Sequence, residues 1–337
     1  MSLSDYWYIA CESAALSAQP LALSLLGQPL VLFRAEGGRP TALLDRCPHR
    51  NVPLSLGSVR DATLECRYHG WRFDAEGRCA HVPHRCSAAA PKAHATRFAA
   101  REQDGFVWCW GRAEAEPDHE PYRLEPLDAH DTRLRRRFDY HAGLHASLEN
   151  TIDVPHTAYL HRGLFRSMSA RQRVRCTLTR TRSEVRARYT GESRPDTWLA
   201  RVLAPGGGAL EHEDRFILPS IVRVEYRLGS EARLLSTAFF TPLDATHTRL
   251  HVQIAYRLGR LSGAWLAPLL ERVSTRVLRE DAAIVAEQTR NLARFGGAAF
   301  ASTELDLFSG QIEEILQLAE QGALRDESSE KSFELMM

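Results

Sequence analysis

The chain has 337 residues, of which 44% are hydrophobic and 25% are charged, and its formal net charge is +1. This composition is typical of a globular protein with one large or two ordinary domains. The near-neutral charge gives no electrostatic basis for binding nucleic acid or an anionic membrane. The longest apolar run, residues 22–33, is broken by Gly27, Gln28 and Pro29, which excludes a membrane-spanning helix there.

The cysteine count and the N-terminal segment both bear on the compartment. Seven cysteines form an odd set without framework spacing, which favours a reducing compartment over a secreted disulfide scaffold. The segment MSLSDYWYIA lacks a basic region followed by an apolar stretch, so no secretory signal is predicted. We therefore expect a cytoplasmic protein.

The first third of the chain has the pattern of short strands and turns. Two apolar stretches flank a Gly-Gly-x-Pro turn in residues 30–45, which predicts a β-hairpin. The aromatic segment FVWCWG, residues 106–111, predicts a further strand. The polar stretch 112–130 contains three prolines and is typical of a linker or domain edge. We expect an all-β domain over 1–118 and a second domain over 119–337.

The middle of the chain begins with a helix and continues as sheet. Residues 145–153 predict a helix that ends before Pro155. The region 171–258 is typical of strands, and its last part alternates most clearly. There, polar residues alternate with four apolar ones, which predicts a sheet with one buried face. The four apolar residues are Leu250, Val252, Ile254 and Tyr256.

Two further helices are predicted towards the C-terminus. A helical period predicts the first over about 262–293, with one face formed by Val273, Val277, Ile284 and Gln288. The second is predicted over 309–322, with Ser309 as N-cap. Its apolar stripe consists of Ile312, Ile315, Leu316 and Ala319. The polar tail from Asp326 onwards is expected to fray, with docking of its last apolar residues as the alternative. Strands and helices together predict an α+β protein.

One pattern of four residues carries the most chemical information. Cys47 and His49 lie in CPHR, Cys66 and His69 lie in CRYHGW, and sixteen residues separate the halves. Cys-x-His followed by Cys-x-x-His is the ligand set of a Rieske [2Fe–2S] cluster, in which two thiolates hold one iron and two imidazoles the other. A Cys2His2 zinc site would use the same donors, but with Cys-x2–4-Cys and His-x3–5-His spacings. The pattern therefore favours an electron-transfer cluster over zinc.

A second motif could receive those electrons. The segment ENTIDVPHTAYLH contains Asp153, His156 and His161. A non-haem Fe(II) site uses two histidines and one carboxylate and leaves positions open for O2. Alone, these residues could equally be ordinary polar groups near a helix end. A one-electron donor upstream needs an acceptor, so we favour the metal interpretation. His141 and His145 precede the motif and are candidates for contacts around the metal or the substrate pocket.

The carboxylate ligand must come from another part of the chain, and Asp281 is the best candidate. It lies in LREDAAIVAEQ, on the predicted helix that carries Val277 and Ile284. A carboxylate within an apolar stripe is costly to bury unless it is paired or binds a metal. Glu280 is expected to point about 100° away, towards the polar side. Glu280 and Glu287 remain alternatives, as does an ordinary surface role for Asp281.

With both sites present, the chain resembles the Rieske non-haem iron oxygenases. The resemblance is carried, in chain order, by CPHR, CRYHGW, NTIDVPHTAYLH and EDAAIVAEQ. It is strongest to the catalytic α-type subunits of the vanillate and dicamba O-demethylase and pheophorbide a oxygenase-like groups. The resemblance implies an all-β Rieske domain followed by a helix-grip (START/Bet v1-like) catalytic domain with a curved antiparallel sheet.

The resemblance also implies a role for each motif residue. The cluster ligands would be Cys47, His49, Cys66 and His69, and the mononuclear Fe(II) ligands would be His156, His161 and Asp281. Asp153 would bridge an iron-ligand histidine and a cluster histidine of a neighbouring subunit, and Asn150 would lie close to the iron. Electrons would thus cross between subunits of a homotrimer.

The implied activity is oxygenation of a small organic molecule. A separate flavin- or ferredoxin-type reductase would supply electrons from NAD(P)H, because no G-x-G-x-x-G fingerprint follows a strand here. With O2, the enzyme would hydroxylate or demethylate a largely apolar substrate, and monooxygenation is favoured. Residues 214–229 and 234–242, including Phe239 and Phe240, are candidate pocket walls. The alternatives are a ring dioxygenase, a desaturase, a Rieske electron carrier and a non-enzymatic helix-grip binding module.

Overall fold

The chain forms two compact units in a computed structural model. The first comprises Ser2–Glu125 with Thr241–Ala245, and the second comprises Pro126–Phe240 with the chain from Thr246 onwards. Within the predicted strand region, residues 193–209 and 229–231 lie outside the described residues. The structure describes residues 2–84, 92–128, 131–162, 164, 173–192, 210–228, 232–258 and 264–336.

The described part of the first unit has ten short strands in two sheets. The strands are β1 (Trp7–Glu12), β2 (Leu21–Leu25), β3 (Gln28–Arg34), β4 (Pro40–Leu44), β5 (Ser58–Arg60), β6 (Thr63–Glu65), β7 (Arg72–Phe73), β8 (Cys79–His81), β9 (Arg97–Gln103) and β10 (Phe106–Ala113). One sheet has the order β1-β10-β9-β4-β3-β2 and the other β5-β6-β7-β8. The described part of this unit contains no α-helix, as the all-β prediction requires.

The predicted hairpin and the aromatic strand both lie in the larger sheet. Strands β3 and β4 pair antiparallel, with Arg34 opposite Pro40. Gly37 and Gly38 adopt φ of 67° and 76° in the turn between them, a conformation that glycine takes at little cost. Strand β10 packs its aromatic residues inward, and Trp108 is only 1% exposed. Both sequence predictions are confirmed.

In the residues that the structure describes, the second unit has an eight-stranded antiparallel sheet and four α-helices. Its strands are β11 (Thr132–Tyr140), β12 (Arg173–Arg180), β13 (Glu184–Thr190), β14 (Leu210–Ile217), β15 (Ile221–Leu228), β16 (Ala232–Pro242), β17 (Thr248–Leu258) and β18 (Ser329–Met336). The sheet order is β11-β17-β16-β15-β14-β13-β12-β18. The helices are α1 (Leu144–Ile152), α2 (Thr157–Leu160), α3 (Ala267–Arg294) and α4 (Ser309–Glu320).

Helices pack against this sheet and bring the chain segments of the candidate iron site together. Helix α1 contacts β14, β15, α3 and α4, and α3 contacts β11. In β14, His212, Asp214 and Phe216 are buried and alternate with more exposed residues, as expected for a strand with one covered face. The α+β prediction, with a curved antiparallel sheet in the second part of the chain, is confirmed. No helix in the described ranges is both long and apolar enough to cross a lipid bilayer.

A buried charge cluster lies on the sheet of the second unit. His212 Nδ1 is 2.9 Å from Glu192 Oε2, and its Nε2 is 3.0 Å from Asp214 Oδ1. The rings of Tyr189 and Tyr226 stack against the imidazole from the two neighbouring strands, at 4.4 and 4.2 Å. Burial lowers the pKa of His212, but Asp214 and Glu192 outweigh it and raise the pKa to about 9. The imidazole is therefore charged at neutral pH.

The predicted apolar face of the long helix is wrong in its phase. Ile284, expected inside, is 47% exposed, and Gln288 is exposed as well. The residues buried on α3 are Leu270, Leu278, Asp281, Val285 and Ala286. The helix carries apolar residues on more than one side. Which of these sides faces the core depends on the elements that pack against the helix, and the periodicity of the helix alone does not determine this.

The end of the chain differs from prediction in two places. Helix α4 buries the four predicted apolar residues, but Ser309 is its first residue rather than its N-cap, which is Phe308. The tail is not frayed. It forms β18, which pairs with β12 and places Leu335, 5% exposed, opposite Val174. The backbone groups of an otherwise unpaired edge strand account for this pairing.

Candidate metal centres

Two loops of the first unit carry the Cys-x-His and Cys-x-x-His halves, and their backbones match. In each loop the amide four residues after the cysteine donates to the cysteine carbonyl, at 2.8 Å from Asn51 to Cys47 and 2.9 Å from Gly70 to Cys66. Each cysteine amide also donates to the carbonyl oxygen five residues further on, at 2.9 Å in the Cys47 loop and 2.8 Å in the Cys66 loop. The two loops are thus near-identical turns, each closing on its cysteine.

Both turns need a left-handed residue at the same position. Asn51 has φ of 61° and Gly70 has φ of 67°. Asparagine tolerates this region better than most residues, because its short side chain can hydrogen-bond locally. At Gly70 an added Cβ would lie 2.8 Å from Pro83 Cγ, so glycine is needed there for space as well as for conformation.

The four side chains divide into buried thiols and imidazoles nearer the surface. Cys47 and Cys66 are each 2% exposed, whereas His69 is exposed. The rings of His49 and His69 are 4.6 Å apart between centroids. The Trp71 ring stacks on His49 at 4.4 Å and an angle of 6°, which fixes the plane of that imidazole.

The electrostatics of this site fit a cluster that binds thiolates and neutral imidazoles. Burial raises the pKa of the Cys47 thiol to about 11; the backbone amide of His49 opposes this rise and the Cys66 thiol adds to it. Burial, His69 and Arg50 lower the pKa of His49. In the described part of the chain, His49 Nδ1 is buried without a hydrogen-bond partner. An orphaned ring nitrogen beside two buried thiols is the donor set of a Rieske site.

The second centre begins where α1 ends. Asp153 closes α1 through its amide, which donates to Glu149 O at 2.9 Å. After Pro155 the chain forms α2, a single turn of four residues. His156 and His161 flank this turn on its two sides, and their rings are 5.2 Å apart. The spacing of five residues thus places both imidazoles across one helical turn.

Asp281 completes a group of three possible metal ligands. It is 5% exposed on α3, and its Oδ1 lies 3.0 Å from His161 Nε2 and 3.5 Å from His156 Nε2. One ligand atom from each of the three residues lies within 4.8 Å of the others. The longer contact exceeds a normal hydrogen bond, as expected for donors arranged around a common point. This is the only such group among the residues that the structure describes.

Each histidine of this group has a carboxylate on its other ring nitrogen. Asp153 Oδ2 accepts from His156 Nδ1 at 3.2 Å and from the His156 amide at 3.1 Å. Glu280 Oε2 lies 2.8 Å from His161 Nδ1. The expectation that Glu280 points away from the site is wrong, because its longer side chain bends back to the ring that Asp281 also contacts.

The charges of the group are strongly coupled. Burial lowers the pKa of His156, but the interactions with the carboxylates of Asp153 and Asp281 outweigh it and raise the pKa to about 9. The pKa of His161 is raised as well. Burial opposes this rise, but the carboxylates of Asp281 and Glu280 outweigh the effect of burial. Burial would raise the pKa of Asp281, but the two imidazoles lower it. A divalent cation would replace the protons that now compensate these carboxylates.

Two buried polar side chains lie around the group. Asn150 Nδ2 is 3.5 Å from Asp281 Oδ1, and Asn150 Oδ1 is buried without a hydrogen-bond partner among the described residues. The buried Tyr140 hydroxyl is also without such a partner there. Burial, and then the charge of Asp281, raise the pKa of Tyr140 well above its usual value, so the phenol stays neutral. Nothing in the sequence singled out Tyr140, which ends a strand 141 positions before Asp281.

Three other candidates lie elsewhere. The exposed ring of His141 packs against His247 at 4.9 Å, and His145 Nε2 lies 3.1 Å from Ser309 O. Glu287 accepts from Arg290 Nε at 3.2 Å, on the exposed side of α3. None of the three belongs to the described ligand group. Phe239 and Phe240 are both buried in β16.

Comparison with known proteins agrees with both centres. The family model of the Rieske [2Fe-2S] domain matches residues 6–92, and that of the vanillate O-demethylase oxygenase C-terminal domain matches residues 140–319. Among solved structures, dicamba monooxygenase with 3,6-dichlorosalicylic acid has a TM-score of 0.79 at 23% identity, covering 96% of this chain and 99% of that one. NdmA of Pseudomonas putida CBB5 with caffeine has a TM-score of 0.77 at 24% identity, with coverages of 99% and 97%.

Curated relatives give the same picture. The oxygenase component of dicamba O-demethylase from Stenotrophomonas maltophilia is 36% identical over 164 residues, 46% of this chain and 47% of that protein. The vanillate O-demethylase oxygenase subunit of Pseudomonas sp. (strain HR199 / DSM 7063) is 27% identical over 318 residues, 86% of each. The chain spans about half the length of several other curated relatives that it matches. It belongs to the Rieske oxygenases with a vanillate O-demethylase-type C-terminal domain.

Proposed function

We propose that this chain is the oxygenase component of a Rieske-type system that hydroxylates or demethylates a small, largely apolar organic substrate with O2. The observation that carries the proposal is the convergence of His156, His161 and Asp281 to within 4.8 Å, in a chain that also has a Rieske donor set. Two histidines and a carboxylate leave open positions on a bound Fe(II). Several relatives are named as demethylases or monooxygenases, which supports monooxygenation.

Each site residue takes the role that its contacts support. The [2Fe–2S] cluster would be held by Cys47, His49, Cys66 and His69, and the mononuclear Fe(II) by His156, His161 and Asp281. When bound, the cluster supplies single electrons and the iron supplies the O2-activating chemistry.

The surrounding side chains orient these ligands. Asp153 accepts from His156 Nδ1, which leaves Nε2 of that ring as the metal donor. In a trimer, the same carboxylate would bridge to a cluster histidine of a neighbouring subunit. Asn150 donates towards Asp281 Oδ1 and holds the carboxylate near the histidines.

The proposal extends to partners and organisation. Electrons come from NAD(P)H through a separate flavin- or ferredoxin-type reductase, as the name "oxygenase component" of a relative supports. We place the Rieske domain at 1–118 and the catalytic domain at 119–337, and expect a homotrimer in the cytoplasm that binds neither nucleic acid nor a membrane. Residues 214–229 and 234–242 remain candidate pocket walls; Gly229 lies outside the described residues.

A ring dioxygenase or a desaturase would use the same residues and is the alternative within the family. A pure electron carrier would not need the ligand group of the second unit. Iron analysis separates an oxygenase of any of these kinds from an electron carrier, because an oxygenase holds about three iron atoms per chain and a carrier about two.

The activity test is a reductase-coupled screen over aromatic methyl ethers and methylamines, with mass-spectrometric detection of products and an assay for formaldehyde. Loaded protein that oxidises none of these compounds and does not consume O2 with any of them would contradict the proposal.

A further inference from the structure

We propose that Glu280 is a positioning residue that fixes the tautomer and the orientation of the His161 imidazole for metal binding. This inference rests on the proposed function, because it assigns a second carboxylate to the same iron site. Asp281 is the expected ligand, and its neighbour Glu280 was expected to face away from the site. The contacts place the two adjacent carboxylates on the two nitrogens of one ring.

The geometry leaves His161 little freedom. Its side chain is 1% exposed, Glu280 Oε2 lies 2.8 Å from Nδ1, and Asp281 Oδ1 lies 3.0 Å from Nε2. A carboxylate close to Nδ1 holds the ring proton there, so that Nε2 keeps its lone pair for a metal. Because the histidine follows a one-turn helix, this contact also helps to set the plane of the ring.

The outer side of Glu280 is held as well. Arg276, one turn earlier on α3, donates from Nε to Glu280 Oε1 at 2.8 Å. Arg276 is 52% exposed and Glu280 28% exposed, so this ion pair is partly screened and contributes little by itself. Its effect is geometric, because it directs the other carboxylate oxygen inward to His161.

Glu280 and Asp153 therefore make the same kind of contact, but we expect their loss to have different consequences. Both place a carboxylate on the Nδ1 of a ligand histidine. Asp153 is proposed to serve electron transfer between subunits in addition, whereas Glu280 is fixed by a residue of its own helix. Loss of Glu280 should therefore act on metal retention and ligand geometry. Outer carboxylates of this kind change metal affinity by roughly 10- to 100-fold.

The test is an anaerobic metal titration of the full chain with its cluster intact and its mononuclear iron removed by a chelator. Fe(II) affinity is measured for wild type, Glu280→Ala and Glu280→Gln. The ligand-field spectrum of Co(II) bound in place of the iron reports the geometry of the ligands. We expect Glu280→Ala to bind Fe(II) roughly 10- to 100-fold more weakly, with a changed Co(II) spectrum.

The conservative variant and a control on the same helix make the result specific. Glutamine keeps the length and an acceptor oxygen, so Glu280→Gln should restore most of the Co(II) spectrum and bind Fe(II) between wild type and Glu280→Ala. Glu287→Gln removes a carboxylate from the exposed side of α3 and should match wild type. Cluster absorbance and thermal unfolding verify that each variant is folded. If Glu280→Ala does not fold, the glutamine variant decides the question.

The outcomes separate the two proposals. Wild-type protein that takes up no third metal would overturn the proposed function, and this inference with it. Wild type that binds a third metal, while the Glu280 variants bind it equally tightly with an unchanged spectrum, would overturn only the inference. Weaker binding by Glu287→Gln to the same extent as Glu280→Ala would also overturn it, because the effect would then be one of helix charge.

Discussion

The two metal centres of this chain are built in opposite ways. In the first unit, two matched turns each carry one cysteine and one histidine within four residues, and each turn closes through hydrogen bonds to its own cysteine. In the second unit, the proposed ligands come from the ends of a single helical turn and from a helix that begins more than a hundred residues later. One site is thus formed by local loops and the other by tertiary packing.

This difference determines what each site needs in order to exist. A site formed by local loops depends on residues that the turns require, such as Gly70 with its positive φ, and tolerates substitutions outside those loops. A packed site depends on the sheet and helices that hold α2 against α3. Damage at the second centre should therefore leave the first unit intact, and four experiments test that separation.

The largest effect is expected from His161→Ala. The variant loses an imidazole that is 1% exposed and lies between Glu280 and Asp281, and it leaves those carboxylates close together without a cation. We expect iron to fall from about three to about two atoms per chain and product formation to fall to background. Iron analysis and the visible spectrum of the cluster measure both parts. A simultaneous loss of cluster absorbance would contradict the independence of the two sites.

Asp153→Asn should separate metal binding from turnover. An amide can replace the carboxylate in size, but it does not carry the charge that pairs with His156 Nδ1. We expect both metals to remain and turnover to fall roughly 10- to 100-fold. Metal content and product formation are measured on the same preparation. Near-normal turnover of the fully loaded variant would remove Asp153 from the path of the electrons.

The His212 cluster predicts a pH dependence confined to the second unit. The folded pKa of about 9 lies above the ordinary 6.5, so the charged imidazole stabilises the fold fully below about pH 6.5, and this stabilisation is lost as the pH rises through about 9. The shift corresponds to a few kcal/mol. Calorimetry of wild type and His212→Gln from pH 6 to 10 should show a decline that the variant lacks. Parallel curves would exclude a charged His212.

The smallest effects concern the matched turns of the cluster site. Gly70→Ala places a Cβ at positive φ and 2.8 Å from Pro83 Cγ, so we expect a loss of about 1–3 kcal/mol in the first unit. Asn51→Gly at the equivalent position should change stability by less than about 1 kcal/mol, because glycine adopts the same conformation. Thermal unfolding followed by cluster absorbance measures both. Equal losses would mean that the turns are not equivalent.

The sequence predicted the local features better than the packed ones. Cys47, His49, Cys66 and His69 were predicted as cluster ligands from spacing alone, because short loops keep such residues close in sequence. Asp281 was predicted as an iron ligand because a carboxylate among apolar helix residues needs a partner. The stripe assigned to it was nevertheless wrong, and Ile284 is 47% exposed. Which side of α3 faces the core depends on α1 and β11, and their positions cannot be derived from the periodicity of one helix.

Other features could not be predicted because they depend on reach or on distant pairing. Glu280 contacts His161 although helical periodicity predicts that it faces about 100° away from Asp281, and the reach of a long side chain is not encoded in that periodicity. Tyr140, whose pKa the charge of Asp281 helps to raise, is placed by the register of β11, which no local motif encodes. The polar tail became β18 because β12 offered a free edge. Each of these contacts joins residues that are far apart in sequence or that lie outside the expected face.

The one-turn helix α2 has a consequence for how the protein responds to its iron supply. A helix of four residues is far too short to be stable alone, and it has a proposed iron ligand at each end. A bound ion would link the two ends of that turn and stabilise it, so that the folding of α2 and the binding of iron would be coupled. Hydrogen exchange or proteolytic nicking between Asp153 and His161 would then report directly on the iron status of the protein.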